Sequence, residues 1–344
     1  MPKIEDTYAK GRTLGTGTFG EVILGTHKET GEVVAIKKIR VDDKKMGIHP
    51  TALREVKYLK ELHHPNVVRL IDVISLKRGI AMVFEYMDTD LENVIRDRSL
   101  VLSKSDVKAY MLGMLQALKY CHERWVVHRD IKPNNFLISR DGMIKLTDFG
   151  LSRVYGSPER RYTNQVFARW YRPPELLFGS TCYGPGVDIW ALGCVFAELL
   201  LRKPWFPAES DVEVLSLIFN ALGTPKGEDW GGLKNMPAFI KFSDRDGLPL
   251  KSQFPGVEAE ALDLLSKLVA LDARRRISAA DALDHPYFKV KPAPTEPSML
   301  PKPHILDKDM DGETAKRKRS AKDPDQDVDP KKQKELKDVS KELF

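Results

Sequence analysis

The chain has 344 residues, 42% of them hydrophobic and 30% charged, with 55 Lys and Arg against 49 Asp and Glu for a formal charge of +6. That length suggests about two packed units of a soluble globular protein, and so mild a charge does not by itself imply nucleic-acid binding. The longest apolar run, Ile189 to Leu201, is interrupted by Glu198 and is too short to span a bilayer, and the polar stretch from Met1 to Glu21 reads as no targeting signal. Cys121, Cys182 and Cys194 have no metal-ligand spacing and read as reduced thiols in a cytosolic or nuclear protein.

Taken in order, Tyr8 to Gly15, Glu21 to His27 and Val33 to Ile39 read as three antiparallel strands, the last two joined by a turn at Glu29-Thr30-Gly31. Between the first two lies Gly15-Thr16-Gly17-Thr18-Phe19-Gly20-Glu21-Val22. A strand follows it where a dinucleotide fingerprint would need a helix, so the glycines suit a flap whose N–H groups approach phosphate closely. Lys37, ending Val34-Ala35-Ile36-Lys37, offers a cation to those phosphates, and Glu55 on a helix over Thr51 to Leu62 is a partner that could hold it. Val67 to Ser75 and Ile80 to Phe84 read as two more strands. Beyond Met87 the period changes to 3.6, with Val107, Tyr110, Met111, Met114, Leu115 and Leu118 on one face of a long amphipathic helix. The expected fold is α+β and bilobal: a small β-rich lobe over residues 1–86, a larger helical lobe over 87–288, and a ligand cleft between them.

The chemistry concentrates in His128-Arg129-Asp130-Ile131-Lys132-Pro133-Asn134-Asn135, followed after the strand-like Phe136-Leu137-Ile138 by Asp148-Phe149-Gly150. Moving a γ-phosphoryl group needs a carboxylate to accept a hydroxyl proton and oxygen ligands to hold Mg²⁺ against the phosphates. Asp130, Asn135 and Asp148 supply such groups.

From Tyr8 to about Phe288 the chain resembles the eukaryotic serine/threonine protein kinases. The resemblance implies ATP and Mg²⁺ as cofactors, Asp130 as catalytic base, Lys132 steadying the γ-phosphoryl, and Asn135 and Asp148 on the metal. It implies Gly15, Gly17, Gly20, Lys37 and Glu55 at the phosphates and Glu85-Tyr86-Met87, behind Phe84, as the adenine-holding hinge. Leu14, Val22, Ala35 and Leu137 would sandwich the ring, and Asp90 is also expected among the ATP-binding residues. Glu175 with Arg276, and Asp188 beneath the catalytic loop, are implied scaffold.

Pro50-Thr51-Ala52-Leu53-Arg54-Glu55 resembles the cyclin-dependent kinases, whose helix is docked and turned by a cyclin. Arg54, Arg129 and Arg153 would then converge on phosphorylated Thr163, since three guanidiniums need an anion between them. Ser157, before Pro158, is a second candidate phosphosite, and the absence of a TxY pair argues against a mitogen-activated kinase. Thr51 to Glu55, Asp88-Thr89-Asp90-Leu91-Glu92, Ser99-Leu100-Val101-Leu102, Lys132-Pro133-Asn134-Asn135 and Gly156-Ser157-Pro158 carry a closer resemblance to the CDK-activating, transcription-associated branch. Phe19 stands where cell-cycle members have an inhibitory tyrosine. That branch works with cyclin H in transcription factor IIH. It implies a cyclin, an assembly factor and that complex as partners, and as substrates other cyclin-dependent kinases or the C-terminal repeats of RNA polymerase II. Another cell-cycle branch, or a pseudokinase scaffold for cyclin-like partners, remain alternatives. Ala168, where these kinases have Thr, with Asn164, Phe167 and Pro173 near the pocket for the residue after the phosphoacceptor, departs from the pattern; Arg172, which helps build that pocket in the family, is retained.

From Lys289 to Phe344 the chain carries 14 Lys and Arg against 12 Asp and Glu with almost no aromatics, which predicts a disordered tail. Within it, Ala315-Lys316-Arg317-Lys318-Arg319 and Lys331-Lys332-Gln333-Lys334 resemble a bipartite import signal, so a nuclear and also cytoplasmic location is expected. The intervening Asp323, Asp325, Asp327 and Asp329 would repel nucleic acid, and no membrane contact is expected.

Overall fold

In the computed structural model the described residues are 4–17, 20–40, 49–156, 161–163, 166, 168–226 and 230–303, and all of them belong to one compact unit. After a short helix α1 (Ile4–Thr7) come β1 (Tyr8–Gly17), β2 (Gly20–His27), β3 (Val33–Arg40), α2 (Pro50–Glu61), β4 (Leu70–Leu76) and β5 (Gly79–Glu85). The strands form one antiparallel sheet in the order β1-β2-β3-β5-β4. Side chains alternate across a strand, and the two faces sort accordingly. Val34, Ile36, Ala81 and Val83 point to an outer core with Ile4, Tyr8, Ile23 and Ile74, whereas Ile39, Met82 and Phe84 join the main core on the other side. Lys37 shares the parity of Ile39, and this puts its amine on the α2 side of the sheet.

The helical part follows: a two-residue β6 (Thr89–Asp90), α3 (Leu91–Arg96), α4 (Lys104–Glu123), β7 (Val126–Val127), β8 (Phe136–Ile138), β9 (Ile144–Leu146) and β10 (Arg153–Val154). Next come α5 (Pro174–Leu177), α6 (Gly186–Leu201), α7 (Asp211–Leu222), α8 (Leu250–Gln253), α9 (Ala259–Leu268), α10 (Ala279–Leu283) and α11 (Pro286–Lys289). A capping box between Ser103 and Asp106 starts α4, and all six residues of the expected apolar face are buried. Gly113 lets β9 approach this helix, since a Cβ there would meet Ile144 Cγ2 at 2.4 Å. Thirteen of the sixteen residues of α6 are buried, as expected of a helix that is apolar all round. Its end is fixed by Arg202, whose guanidinium donates to the carbonyls of Val94, Ile95, Asp97 and Leu100 at 2.6–3.0 Å, satisfying the C-terminal end of α3.

Two expectations are corrected. The strand expected from Val67 begins at Leu70. Val67 instead makes an isolated parallel bridge to Leu146, and Asn66 donates its side-chain amide to Ile144 O at 2.8 Å, so residues 66–68 tie the small lobe to β9. The disordered tail does not start at residue 289. Lys108 Nζ donates to Val290 O and Pro292 O at 2.8 and 2.9 Å, Thr295 Oγ1 to Asp106 Oδ1 at 2.6 Å and Tyr110 OH to Pro301 O at 2.7 Å, while Leu300 is buried. This strap passes so close to the β8–β9 turn that a Cβ on Gly142 would lie 1.6 Å from Pro297 O. The import-like clusters at 315–319 and 331–334 lie outside the described residues.

Candidate active site

The catalytic segment hangs from one buried carboxylate. Asp188, in the first turn of α6 and fully buried, accepts from the backbone N–H of His128 at 2.8 Å and of Arg129 at 2.9 Å, with His122 Nε2 3.0 Å away. Burial alone would push this carboxyl up. The His122 hydrogen bond, the charges of His122 and His128 and the Arg129 N–H outweigh it and hold Asp188 below the usual carboxylate range. The bonds also fix Arg129 at φ 70°, a left-handed conformation that costs a non-glycine residue roughly 1–2 kcal/mol.

The turn so formed presents Asp130, 6% exposed, with Lys132 Nζ and Asn135 Nδ2 at 3.0 and 2.9 Å from its Oδ2. Asn135 Nδ2 also donates to Asp130 O at 2.7 Å, which leaves the amide oxygen of Asn135 as its ligating atom. Thr147 N donates to Asn135 O at 3.0 Å and His128 Nε2 lies 2.9 Å from Thr147 O, so the residue before Asp148 is pinned to the same turn. Asp148 is itself left-handed, at φ 64°, and Phe149 beyond it is fully buried edge-on to His128 at 4.8 Å. Backbone strain of this kind collects at functional sites.

Opposite lies Lys37, with Glu55 Oε1 and Oε2 at 2.9 and 2.8 Å and Asp148 Oδ1 at 4.0 Å. Burial works against the Lys37 ammonium, but the charges of Glu55 and Asp148 outweigh it and its pKa is raised. The Lys37–Glu55 pair, which the resemblance has a cyclin bring together by turning this helix, is closed in this structure.

The glycine-loop strands meet with Gly15 opposite Val22, Val22 opposite Lys37 and Ala35 opposite Phe84. Gly20 is required by packing, since a Cβ there would sit 1.7 Å from Lys38 O. Leu14, Val22, Ala35, Met87 and Leu137 are half-buried, and Leu137 pairs with Asp90 across β6 and β8. Two of the expected nucleotide contacts have their side chains committed elsewhere. Glu85 accepts from Arg69 N and Lys145 Nζ, both at 2.7 Å, so only its backbone is available to a base; Asp90 caps α3 by accepting from Asn93 N at 2.8 Å. Glu85 and Lys145 instead share the wall of a separate cavity of about 310 Å³ behind the hinge.

The three arginines reach consecutive carbonyls: Arg54 to Gly150 O at 2.8 Å, Arg129 to Leu151 O at 2.7 Å and Arg153 to Ser152 O at 2.9 Å. Arg129 also donates to Tyr183 OH at 2.8 Å, and that hydroxyl donates to Thr163 O at 2.6 Å. Thr163 is thus joined to Arg129 through Tyr183, a residue the sequence reading missed. Ser157, Asn164 and Phe167 lie outside the described residues. The scaffold pair holds: Arg276 meets Glu175 through two bonds of 2.7 Å, both side chains nearly unexposed. His122, Lys145 and Thr147 were also missed, none having a local motif.

A buried base-like carboxylate, an amide and a second carboxylate across from a lysine–glutamate pair define a phosphotransfer site, and the protein kinase domain family matches the chain over residues 8–288. The chain is a protein kinase. It is 52% identical over 303 residues to Cyclin-dependent kinase D-1 of Oryza sativa subsp. japonica, covering 88% of this chain and 72% of that protein. Cyclin-dependent kinase 7 of Dictyostelium discoideum is 47% identical over 305 residues, covering 87% and 84%. A solved structure of the CAK complex from Chaetomium thermophilum bound to ATP-gamma-S superposes with a TM-score of 0.83 at 41% identity, covering 88% of this chain and all of that one. Within the protein kinases, the chain belongs to the cyclin-dependent serine/threonine kinases, in the group of these D-type and 7-type relatives.

Proposed function

We propose that the chain is the catalytic subunit of a CDK-activating kinase, moving the γ-phosphate of ATP to serine and threonine hydroxyls of other cyclin-dependent kinases and of RNA polymerase II C-terminal repeats. The observation that carries the chemistry is the Asp130 carboxylate held by Lys132 and Asn135 at 3.0 and 2.9 Å on a loop fixed from below by Asp188. Asp130 accepts the hydroxyl proton and Lys132 steadies the transferring group. Lys37, oriented by Glu55, holds the α and β phosphates, and the half-buried Leu14, Val22, Ala35 and Leu137 enclose the base. Asn135 and Asp148 offer hard oxygen donors of the kind Mg²⁺ takes one or two at a time, beside phosphate and water oxygens. When bound, that ion neutralises charge developing on the phosphates.

A cyclin is the proposed partner, one like cyclin H, with an assembly factor and transcription factor IIH beyond it. Leu53 on α2, Trp125 before β7 and Val154 on β10 are large apolar side chains left 52%, 59% and 41% exposed. Val154 lies opposite Val126 in the β7–β10 pairing, one residue past Trp125, and Arg54 links α2 to Gly150 just upstream. Exposed apolar side chains on α2 and at the start of the activation segment are what a partner that holds the Glu55 helix would cover. Thr163 is the proposed activating phosphosite, with Ser157 secondary, and the tail clusters at 315–319 and 331–334 are proposed to direct nuclear import. The test is transfer of γ-labelled phosphate by the chain with and without cyclin H, to a cyclin-dependent kinase bearing its activation threonine and to a C-terminal-repeat peptide. Cyclin-stimulated labelling of either supports the reading, and labelling of neither contradicts it.

A further inference from the structure

Residues 161–163 are moored to residues 181–183 by bonds that involve no phosphate. Tyr162 N donates to Thr181 O at 2.8 Å, Arg161 NH1 donates to Thr181 Oγ1 at 3.3 Å, and Tyr162, itself buried, donates its hydroxyl to Val154 O at 2.9 Å. The rings of Tyr162 and Tyr183 lie with centroids 5.2 Å apart, and the Arg129 guanidinium stands 5.9 Å from the Tyr162 centroid. The half-buried Tyr183 closes the arrangement, its hydroxyl accepting from Arg129 NH1 at 2.8 Å and donating to Thr163 O at 2.6 Å. Burial holds this phenol above the usual tyrosine range against the opposing charge of Arg129, so the hydroxyl keeps the proton it donates. Arg129 is only 1% exposed and directly precedes Asp130, and the hydroxyl therefore joins the exposed Thr163 to the catalytic loop.

We infer that Tyr183 is a positioning residue that stands in for the Thr163 phosphate before phosphorylation: by tying the Thr163 backbone to Arg129 it keeps the unmodified activation segment beside the catalytic loop. The inference rests on the proposed role of Thr163 as the activating site. A phosphate there brings a charge of about −1.5 to −2 and three acceptor oxygens, so Arg129 then has a stronger partner than a neutral phenol. The Tyr183 hydroxyl thus matters in the unphosphorylated enzyme and little afterwards. Because it bonds the carbonyl of residue 163, Thr163→Ala leaves it in place.

The experiment compares the cyclin complex phosphorylated on Thr163 with the same complex treated with phosphatase, reading kcat/KM for a serine peptide. Tyr183→Phe keeps the ring against Tyr162 and removes both hydroxyl bonds. It should lower the activity of the unphosphorylated complex about fivefold, the scale of one or two partly exposed hydrogen bonds, and that of the phosphorylated complex less than about 1.5-fold, so the stimulation by phosphate grows at least about threefold. The same fivefold loss should appear when Tyr183→Phe is added to Thr163→Ala. Tyr162→Phe cuts the bond to Val154 O but leaves Arg129 NH1 served, and should change the stimulation less than about 1.5-fold. A stimulation factor in Tyr183→Phe within about 1.5-fold of wild type, as a merely structural role would give, or an equal rise in Tyr162→Phe, overturns the inference. Tryptic cleavage after Arg161 reads the same mooring without any substrate: Tyr183→Phe should speed it about fivefold in the unphosphorylated complex alone, and an unchanged rate overturns the inference. A wild-type complex that phosphate on Thr163 does not stimulate overturns Thr163 as the activating site, while the Thr163→Ala and proteolysis comparisons still decide for or against Tyr183.

Discussion

The catalytic loop and the activation segment lie side by side and are held in opposite ways. The loop is fixed by a carboxylate, Asp188, that is fully buried and receives two backbone N–H groups, with an imidazole beside it. Residues 150–152 are fixed from outside by guanidiniums of Arg54, Arg129 and Arg153 bonded to their carbonyls, and Thr163, further on, is exposed. A buried charge with its bonds satisfied is costly to disturb. A bond from an arginine to a neutral carbonyl is one a phosphate can outcompete, because the phosphate adds a countercharge and bidentate geometry that a carbonyl lacks. The chemistry is thus built in, while access to it is left adjustable.

Breaking the built-in side should give the largest effects. Asp130→Asn removes the proton acceptor and keeps the bond geometry, so kcat should fall by about 10²–10⁴ with nucleotide affinity within about twofold; steady-state phosphotransfer beside a nucleotide-binding titration checks both. Asp188→Asn places an amide N–H against backbone donors and leaves Arg129 strained, so activity should fall at least about tenfold and unfolding free energy by roughly 2–4 kcal/mol, read by chemical denaturation. On the adjustable side, Thr163→Ala should lower the activity of the cyclin complex or its cyclin affinity by about tenfold, since each phosphate–arginine bond is worth roughly 1.5–3 kcal/mol before ordering costs. Ser157→Ala should matter less.

The smallest effect is on stability and depends on pH. Glu198 on α6 accepts from Tyr171 OH at 2.7 Å. Burial pushes its carboxyl up to about 7; the Tyr171 bond opposes this and the charge of Glu92 adds to it. A carboxyl raised on folding stabilises the protein below its unfolded pKa and loses that contribution as pH climbs to about 7. At about 1.4 kcal/mol per pH unit the loss is at most roughly 3 kcal/mol. Glu198→Gln should therefore raise Tm relative to wild type at pH 8, and the gain should disappear by about pH 5.

The parts of the site that sequence makes legible are those whose geometry is local. Lys37 follows from the period-2 parity of β3, the six buried positions of α4 from its 3.6 period, and Asp130, Asn135 and Asp148 from two short motifs whose backbone turn brings them together. What stays hidden is made by contacts between distant residues. His122 acts through a bond to a residue 66 positions away, Tyr183 through bonds to residues 54 and 20 positions away, and Asp211 reaches back 39 positions to Arg172. The strap over 290–303 has the composition of a linker and is ordered because Lys108 and Tyr110 of α4 bind its backbone carbonyls, which no side-chain pattern in the strap announces. Glu85 is assigned correctly to the hinge segment, but its side chain is drawn off by Lys145, sixty positions on.

The division between a fixed loop and an adjustable segment is tested most directly by amide hydrogen exchange of the full chain, alone and as the cyclin complex phosphorylated on Thr163. Residues 126–135, which include the N–H groups donated to Asp188, should show protection unchanged within about twofold, while residues 150–156 gain at least about tenfold. Equal gains in both stretches would mean that the catalytic loop is assembled only in the complex, contradicting the account.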